Sequence, residues 1–169
     1  MRVSGVIGGL FAAVAMSATV ALAPPAAADV YDDCNQAENT RLAINACSEI
    51  INRGRSTVEE LVAAHSNRGA TFADLGSYER ALADYARALE LNPRHANTMF
   101  NRANTYCALG RPDSALPGYL QAIDAGTHAA EALQRHLINL GDYQGEVDGK
   151  VTPAFKTAIE TWVRRDCRT

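Results

Sequence analysis

Between Val62 and Ala125 the chain repeats one order of small, aromatic and polar positions. In VAAHSNRGATFADLGSYERALADYARALELNPRH, residues 62–95, small residues stand at Gly69, Ala81 and Ala88. Aromatics stand at Phe72, Tyr78 and Tyr85, and Pro93 closes the run. Apolar positions three and four apart make one stripe per helix, so two amphipathic helices are predicted, over about 63–75 and 78–90, meeting at Gly76. Small side chains at Gly69 and Ala81 let these helices approach, Phe72 and Tyr85 fill the volume beside them, and Pro93 ends the second. Thirty-four residues on, Ala103, Tyr106, Gly110, Ala115, Tyr119 and Ala122 occupy the corresponding places. A second pair therefore spans about 96–128. Pro112 suits the first turn of its second helix. Pro117 lies further in and is expected to kink or loosen it.

After His128 the period fails. Tyr143 stands where Tyr78 stood, but the following QGEVDGKVTP holds Gly145, Gly149 and Pro153, which do not fit one stable helix. The pattern predicts helix, loop, helix: AEALQRHLINL, then GDYQGEVDGKVT, then PAFKTAIETWVRR. Leu133, Leu137 and Leu140 recur at helical spacing, as do Phe155, Ile159 and Trp162, with Val163 beside them. Thr152 followed by Pro153 reads as an N-cap with Pro at the first helical position.

Two features outside the periodic region change the picture. Arg2, an uncharged apolar run from Val3 to Ala23, Pro24-Pro25 and Ala26-Ala27-Ala28 have the order of a secretory signal peptide cut after Ala28. A retained anchor is the alternative, since about 20 apolar residues span a bilayer. No Cys stands at the cut, so lipid attachment there is not expected. The formal net charge is −3, and cleavage removes one Arg and no acid. An acidic mature chain has no electrostatic footprint for nucleic acid or anionic membranes. The four cysteines, Cys34, Cys47, Cys107 and Cys167, lie too far apart for a zinc pattern. In an oxidising compartment they fit two disulfides in any of three pairings; free buried thiols are the other possibility.

Residues 62–95, with YERALADYARALELNP at their centre, closely resemble a tetratricopeptide repeat, and residues 96–128 resemble a second. The resemblance implies an all-α helix-turn-helix solenoid with a protein-binding groove. On the family's geometry that groove is lined by Ser66, Ala70, Ala73, Asp74, Asn97, Phe100 and Asn104. LAINACSEII lines up with the second helix of the better repeat, placing Ala43 over Ala81 and Cys47 over Tyr85. The same offset sets Cys34 over Phe72. The alignment thus implies a degenerate first repeat, over 29–60, stapled by Cys34–Cys47, which leaves Cys107 with Cys167. Fewer than about three such repeats bury too little to stand alone, so residues past 128 are expected to cap the stack.

LQRHLINLGDYQGEVDGKVTPAFKTAIETWVRR looks like the small helical peptidoglycan-binding domain of cell-wall hydrolases. Leu133, Gln134, Leu137, Leu140, Gly141, Tyr143, Gly145, Val147, Asp148, Gly149, Pro153, Ala158, Ile159 and Trp162 match that family in order. The chain reaches Thr169 without the family's further turn and helix, so the resemblance covers its first two thirds. It implies a glycan surface at Gln134, Tyr143, Gln144, Asp148 and Lys150, where hydroxyls and amides bond to the ligand and a ring covers a sugar face. Trp162 reads as core.

No catalytic set emerges. His65, His95, His128 and His136 are scattered, His65 reads as packing, and Asp148 reads as a turn cap without a second carboxylate. The expectation is a non-enzymatic exported protein, periplasmic or secreted, with neither cofactor nor metal. Residues 1–28 form the signal, 29–60 the degenerate repeat, 61–128 two repeats, and 129–169 a helix-loop-helix module tethering the chain to peptidoglycan. The alternative is a pure interaction scaffold whose C-terminal segment only caps the stack. No nucleic acid partner is expected, and no membrane contact after cleavage.

Overall fold

The computed structural model describes residues 27–36 and 39–167, so the signal-peptide reading falls almost wholly on residues outside it. The described chain is all-α, with no strand among the described residues. In order come α1 (Ala27–Asn35), α2 (Thr40–Asn52), α3 (Val58–Asp74), α4 (Tyr78–Leu91), α5 (Ala96–Ala108), α6 (Pro112–Ala125), α7 (Thr127–Leu140) and α8 (Pro153–Asp166).

Local capping chemistry fixes several helix starts. The Asn39 side chain accepts from the Leu42 N–H at 3.1 Å. The Thr152 hydroxyl accepts from the Phe155 N–H at 3.2 Å, with Pro153 next in line. Thr57 and Glu60 form a capping box, each side chain accepting from the other's backbone N–H. That box starts α3 at Val58, more than a turn ahead of the estimate from hydrophobic spacing alone.

Pro117 does not end α6, which runs unbroken through it. Only one intrahelical bond is forfeited there, and the ring lies on the exposed side of the helix, where no neighbour is displaced.

Successive helices pack in pairs, α1 on α2, α3 on α4, α5 on α6, and each pair stacks on the next; α7 and α8 then cover α6. The α3–α4 contact depends on Gly69. A Cβ there would come within 2.7 Å of the Tyr85 ring and 3.2 Å of the Ala81 carbonyl. In the α5–α6 pair the close approach is reversed, with Gly118 on the second helix meeting the Ala103 methyl on the first. Either way, one missing side chain sets the interhelical distance.

The largest core is continuous from the α5–α6 pair into the C-terminal helices. Ala103, Ala115, Tyr119 and Ile123 join Leu133, Leu137, Phe155, Ile159, Trp162 and Val163. Phe155, Ile159 and Val163 are fully buried, each contributing roughly 1.5–3 kcal/mol through removal from water. The C-terminal helices are therefore part of the repeat stack's own core.

Two disulfides fasten the ends. Cys34–Cys47 joins α1 to α2 inside a cluster with Val30, Ala46, Ile50 and Ala64. Cys107–Cys167 joins the end of α5 to the end of α8 across a sequence separation of 60.

His65 is not simple packing. Its Nδ1 lies 2.9 Å from Asp84 Oδ1, and Arg68 donates to both Asp84 oxygens at 2.8 and 2.7 Å. Arg68 also donates to the Ser48 hydroxyl at 2.9 Å, so the cluster ties α2, α3 and α4 together. Burial works to raise the Asp84 carboxyl, but Arg68 and His65 outweigh it and hold the group below its ordinary value.

Candidate functional site

The first helices of successive pairs, α3 and α5, present one face, which α7 continues. Three hollows lie along it. Ala70, Ala73 and Asp74 from α3 meet Asn101 and Asn104 from α5 around a space of about 230 Å³. Asn97 and Phe100 line a second, of about 440 Å³, with Asn67, His95 and Asn101. Phe100 and Asn104 then enter a third, of about 680 Å³, whose far side is Ala132, His136, Trp162 and Asp166. The expected groove residues therefore fall along one face but divide among three hollows.

Ser66 lines the second hollow but is turned to an internal contact. It is 3 % exposed, and its hydroxyl accepts from Thr98 Oγ1 at 2.9 Å, while His95 Nδ1 lies 2.6 Å from the same Thr98 oxygen. Ser66 forms a polar joint between α3 and α5 at the floor of the second hollow. Asn104 has a structural duty too, accepting from the Tyr119 hydroxyl at 2.7 Å. Burial pushes that hydroxyl's pKa up, so Tyr119 remains a neutral donor.

The third hollow was not legible as a site. Its aromatic floor is Phe100 edge-on to Tyr119 at 5.6 Å, with Tyr119 5.2 Å from Trp162 and His136 5.0 Å from Trp162. Ala132 with His136, and Trp162 with Asp166, stand at i, i+4, a spacing that puts each pair on one helix face. Those pairs were in the sequence, but nothing local said that the two faces meet α5.

The C-terminal loop separates its five candidate residues into two groups. Gln134 is fully buried. Its Nε2 donates to Asp148 Oδ1 and to the Lys150 carbonyl, both at 3.1 Å; its Oε1 accepts from the Asp148 and Gly149 N–H groups at 3.1 and 2.9 Å. All four positions of that amide are occupied, so Gln134 clamps the loop and has nothing left for a ligand. Gly149 meets the clamp at φ +70°, a conformation that favours glycine. Asp148 also accepts from the Lys150 N–H at 2.9 Å and pairs with its ammonium at 2.9 Å. Lys150 first, then the Gln134 bond, holds the Asp148 carboxyl down at about 2.

Tyr143 and Gln144 belong to a different hollow, of about 520 Å³, with Asp142, Gly145, Thr157 and Thr161. The Tyr143 ring packs on Phe155 at 5.2 Å and covers Gly145, where any Cβ would collide with it.

Residues 60–128, from the first turn of α3 to past the end of α6, match the family model described as Tetratricopeptide repeat. The two helix pairs are similar to tetratricopeptide repeats, and the all-helical stack is consistent with a solenoid of that kind. No curated protein matches the chain. Tetratricopeptide repeats are protein-interaction units, and the hollows on α3 and α5 occupy the face between successive first helices. Among the described residues no group of three or more His, Cys, Asp or Glu side chains is placed to hold a metal ion. None of the described helices is long and apolar enough to cross a membrane.

Proposed function

We propose that this protein is an exported interaction scaffold that holds a partner protein on the α3–α5–α7 face of its tetratricopeptide repeats. The observation that carries this reading is the row of hollows along that face, polar at the α3 end and aromatic where α5 meets α8. Two disulfides favour an oxidising compartment, and the signal-like order of residues 1–28 supplies a route to it. N-terminal sequencing of the protein recovered from the envelope or medium tests export. The mature chain is expected to begin at Asp29, and recovery of the uncut chain from the cytoplasm alone would exclude it.

In a second reading the C-terminal helices also tether the scaffold to peptidoglycan. The residues shared with peptidoglycan-binding domains favour it, and Tyr143 and Gln144, beside the Thr157 and Thr161 hydroxyls, offer the surface. Gln134, Asp148 and Lys150 maintain the loop beneath. Sedimentation of the full chain with purified peptidoglycan tests this reading. The wild type should pellet and a Thr157→Arg, Thr161→Arg variant should not, both positions being exposed. A wild type that stays in the supernatant leaves the C-terminal helices as a cap alone.

A further inference from the structure

The third hollow is built from two parts of the chain that neither part could supply alone. Phe100 and Asn104 on α5 form one wall; His136 on α7 with Trp162 and Asp166 on α8 form the other. Cys107, on the first wall, is bonded to Cys167 at the end of α8, so a covalent link spans the site. At about 680 Å³ it falls within the range of small-ligand pockets. Its floor of three rings in edge-on and tilted contact suits a bulky apolar group.

Charge narrows the occupant. No Lys or Arg lines this hollow or its two neighbours among the described residues, whereas Asp74 and Asp166 do. Asp166 takes both oxygens to Arg165 at 2.7 Å, but the same guanidinium grips Asp142 at 2.7 and 2.8 Å. Two carboxylates share one cation, so that cluster keeps a net negative charge. Asp74 at the other end of the face is exposed. Between them Asn97, Asn101 and Asn104 offer amides, which donate and accept and so fit a peptide backbone of any sequence.

We propose that this face binds a linear segment of its partner through one bulky apolar side chain seated between Phe100 and Trp162, flanked by Lys or Arg facing Asp166 and Asp74. An acidic segment is disfavoured, because its carboxylates meet Asp74 and Asp166 while the one guanidinium nearby, Arg165, is already shared between two carboxylates. This rests on the scaffold reading and specifies the partner's chemistry.

Trp162 is the single tryptophan of the chain, so its emission reports on the hollow directly. Random dodecapeptides displayed on phage would be selected against the oxidised full chain. The enriched sequences would then be synthesised and titrated while Trp162 emission is followed. Ala132→Arg blocks the hollow and Asp74→Lys reverses the distant charge; both positions are exposed, and circular dichroism would check the fold. Enriched peptides should pair Leu, Phe, Met or Trp with Lys or Arg and shift the emission. Binding should weaken by about tenfold or more with Ala132→Arg and by a few-fold with Asp74→Lys, as loss of an anchor exceeds loss of a rim charge. Acidic peptides, or peptides indifferent to Ala132→Arg, would overturn the proposal and leave the scaffold reading standing. Selection of no peptide at all would count against both.

Discussion

In the α3–α4 repeat, His65, Arg68 and Asp84 form a buried ionic cluster. Thirty-four residues on, the α5–α6 repeat has Met99, Arg102 and Gly118 at the same places. The first repeat thus joins its helices by charge across the seam and relies on Gly69 for clearance. The second has lost the acid, and Gly118 there lets the helices close on Ala103. It gains instead a disulfide to α8 and the apolar core shared with the C-terminal helices. One backbone arrangement therefore tolerates two kinds of adhesive, provided one partner in each helix pair has no side chain.

The sharpest way to break the comparison is to remove the acid from the first repeat. Asp84→Ala leaves Arg68 and His65 facing a pocket without an acceptor. It should cost about 3–5 kcal/mol, as truncating one partner of a buried pair does. A His65→Met, Arg68→Met, Asp84→Ala variant, which makes the whole seam uncharged, should recover most of that loss. Urea unfolding of the three proteins measures both quantities, and a triple variant no better than Asp84→Ala would show that the first repeat cannot replace its charges by apolar packing.

Next in size is the covalent link of the second repeat. Cys107→Ser with Cys167→Ser should cost about 2–4 kcal/mol, by releasing the unfolded chain from a long closed loop. Limited proteolysis should then cut near α8 first, because the α7 and α8 packing on α6 loses its tether. Equal protection of α8 in both proteins would mean that the apolar core alone fixes it. Peptide mapping of the oxidised protein checks the connectivity itself. A Cys34–Cys107 link would undo the alignment that places Cys34 over Phe72.

A pH titration separates the repeats without mutation. The Asp84 carboxyl lies below its ordinary value near 3.8 in the folded chain. Its contribution is therefore complete above that value and disappears as pH falls through the folded pKa. Below about pH 4 the wild type should lose stability faster than the triple variant, which has no such carboxylate. Parallel acid denaturation curves for the two proteins would contradict this account of the cluster.

Local chemistry explains what was legible in the sequence. Gly69, Ala81 and Tyr85, with their counterparts one period on, write the all-α repeat directly into the spacing, because each helix must place one small and one large residue at a fixed seam. The Thr57–Glu60 capping box is equally local, and it starts α3 earlier than the helix's apolar stripe suggests. Gln134 and Ser66 carry internal roles that no local pattern reveals, for a different reason. A polar side chain at the right place in a family pattern can face a ligand or satisfy the protein's own amides, and only the partners on other elements decide. For Gln134 those partners are fourteen to sixteen residues away; for Ser66, thirty-two. The third hollow, too, depends on which helix faces meet.

The smallest effect expected is also the most discriminating. Arg102 keeps the position of Arg68 but not its acid, and its buried Nε has no hydrogen-bond partner. Leaving such a donor unsatisfied costs free energy that an apolar side chain of similar length avoids. Arg102→Met should therefore leave stability within about 0.5 kcal/mol of the wild type or raise it, while Arg68→Met should lower it by about 2–4 kcal/mol. Paired urea curves decide the matter in one experiment. If the two substitutions cost the same, Arg102 has a compensating role in the second repeat, and the contrast between a charged seam and an apolar one fails.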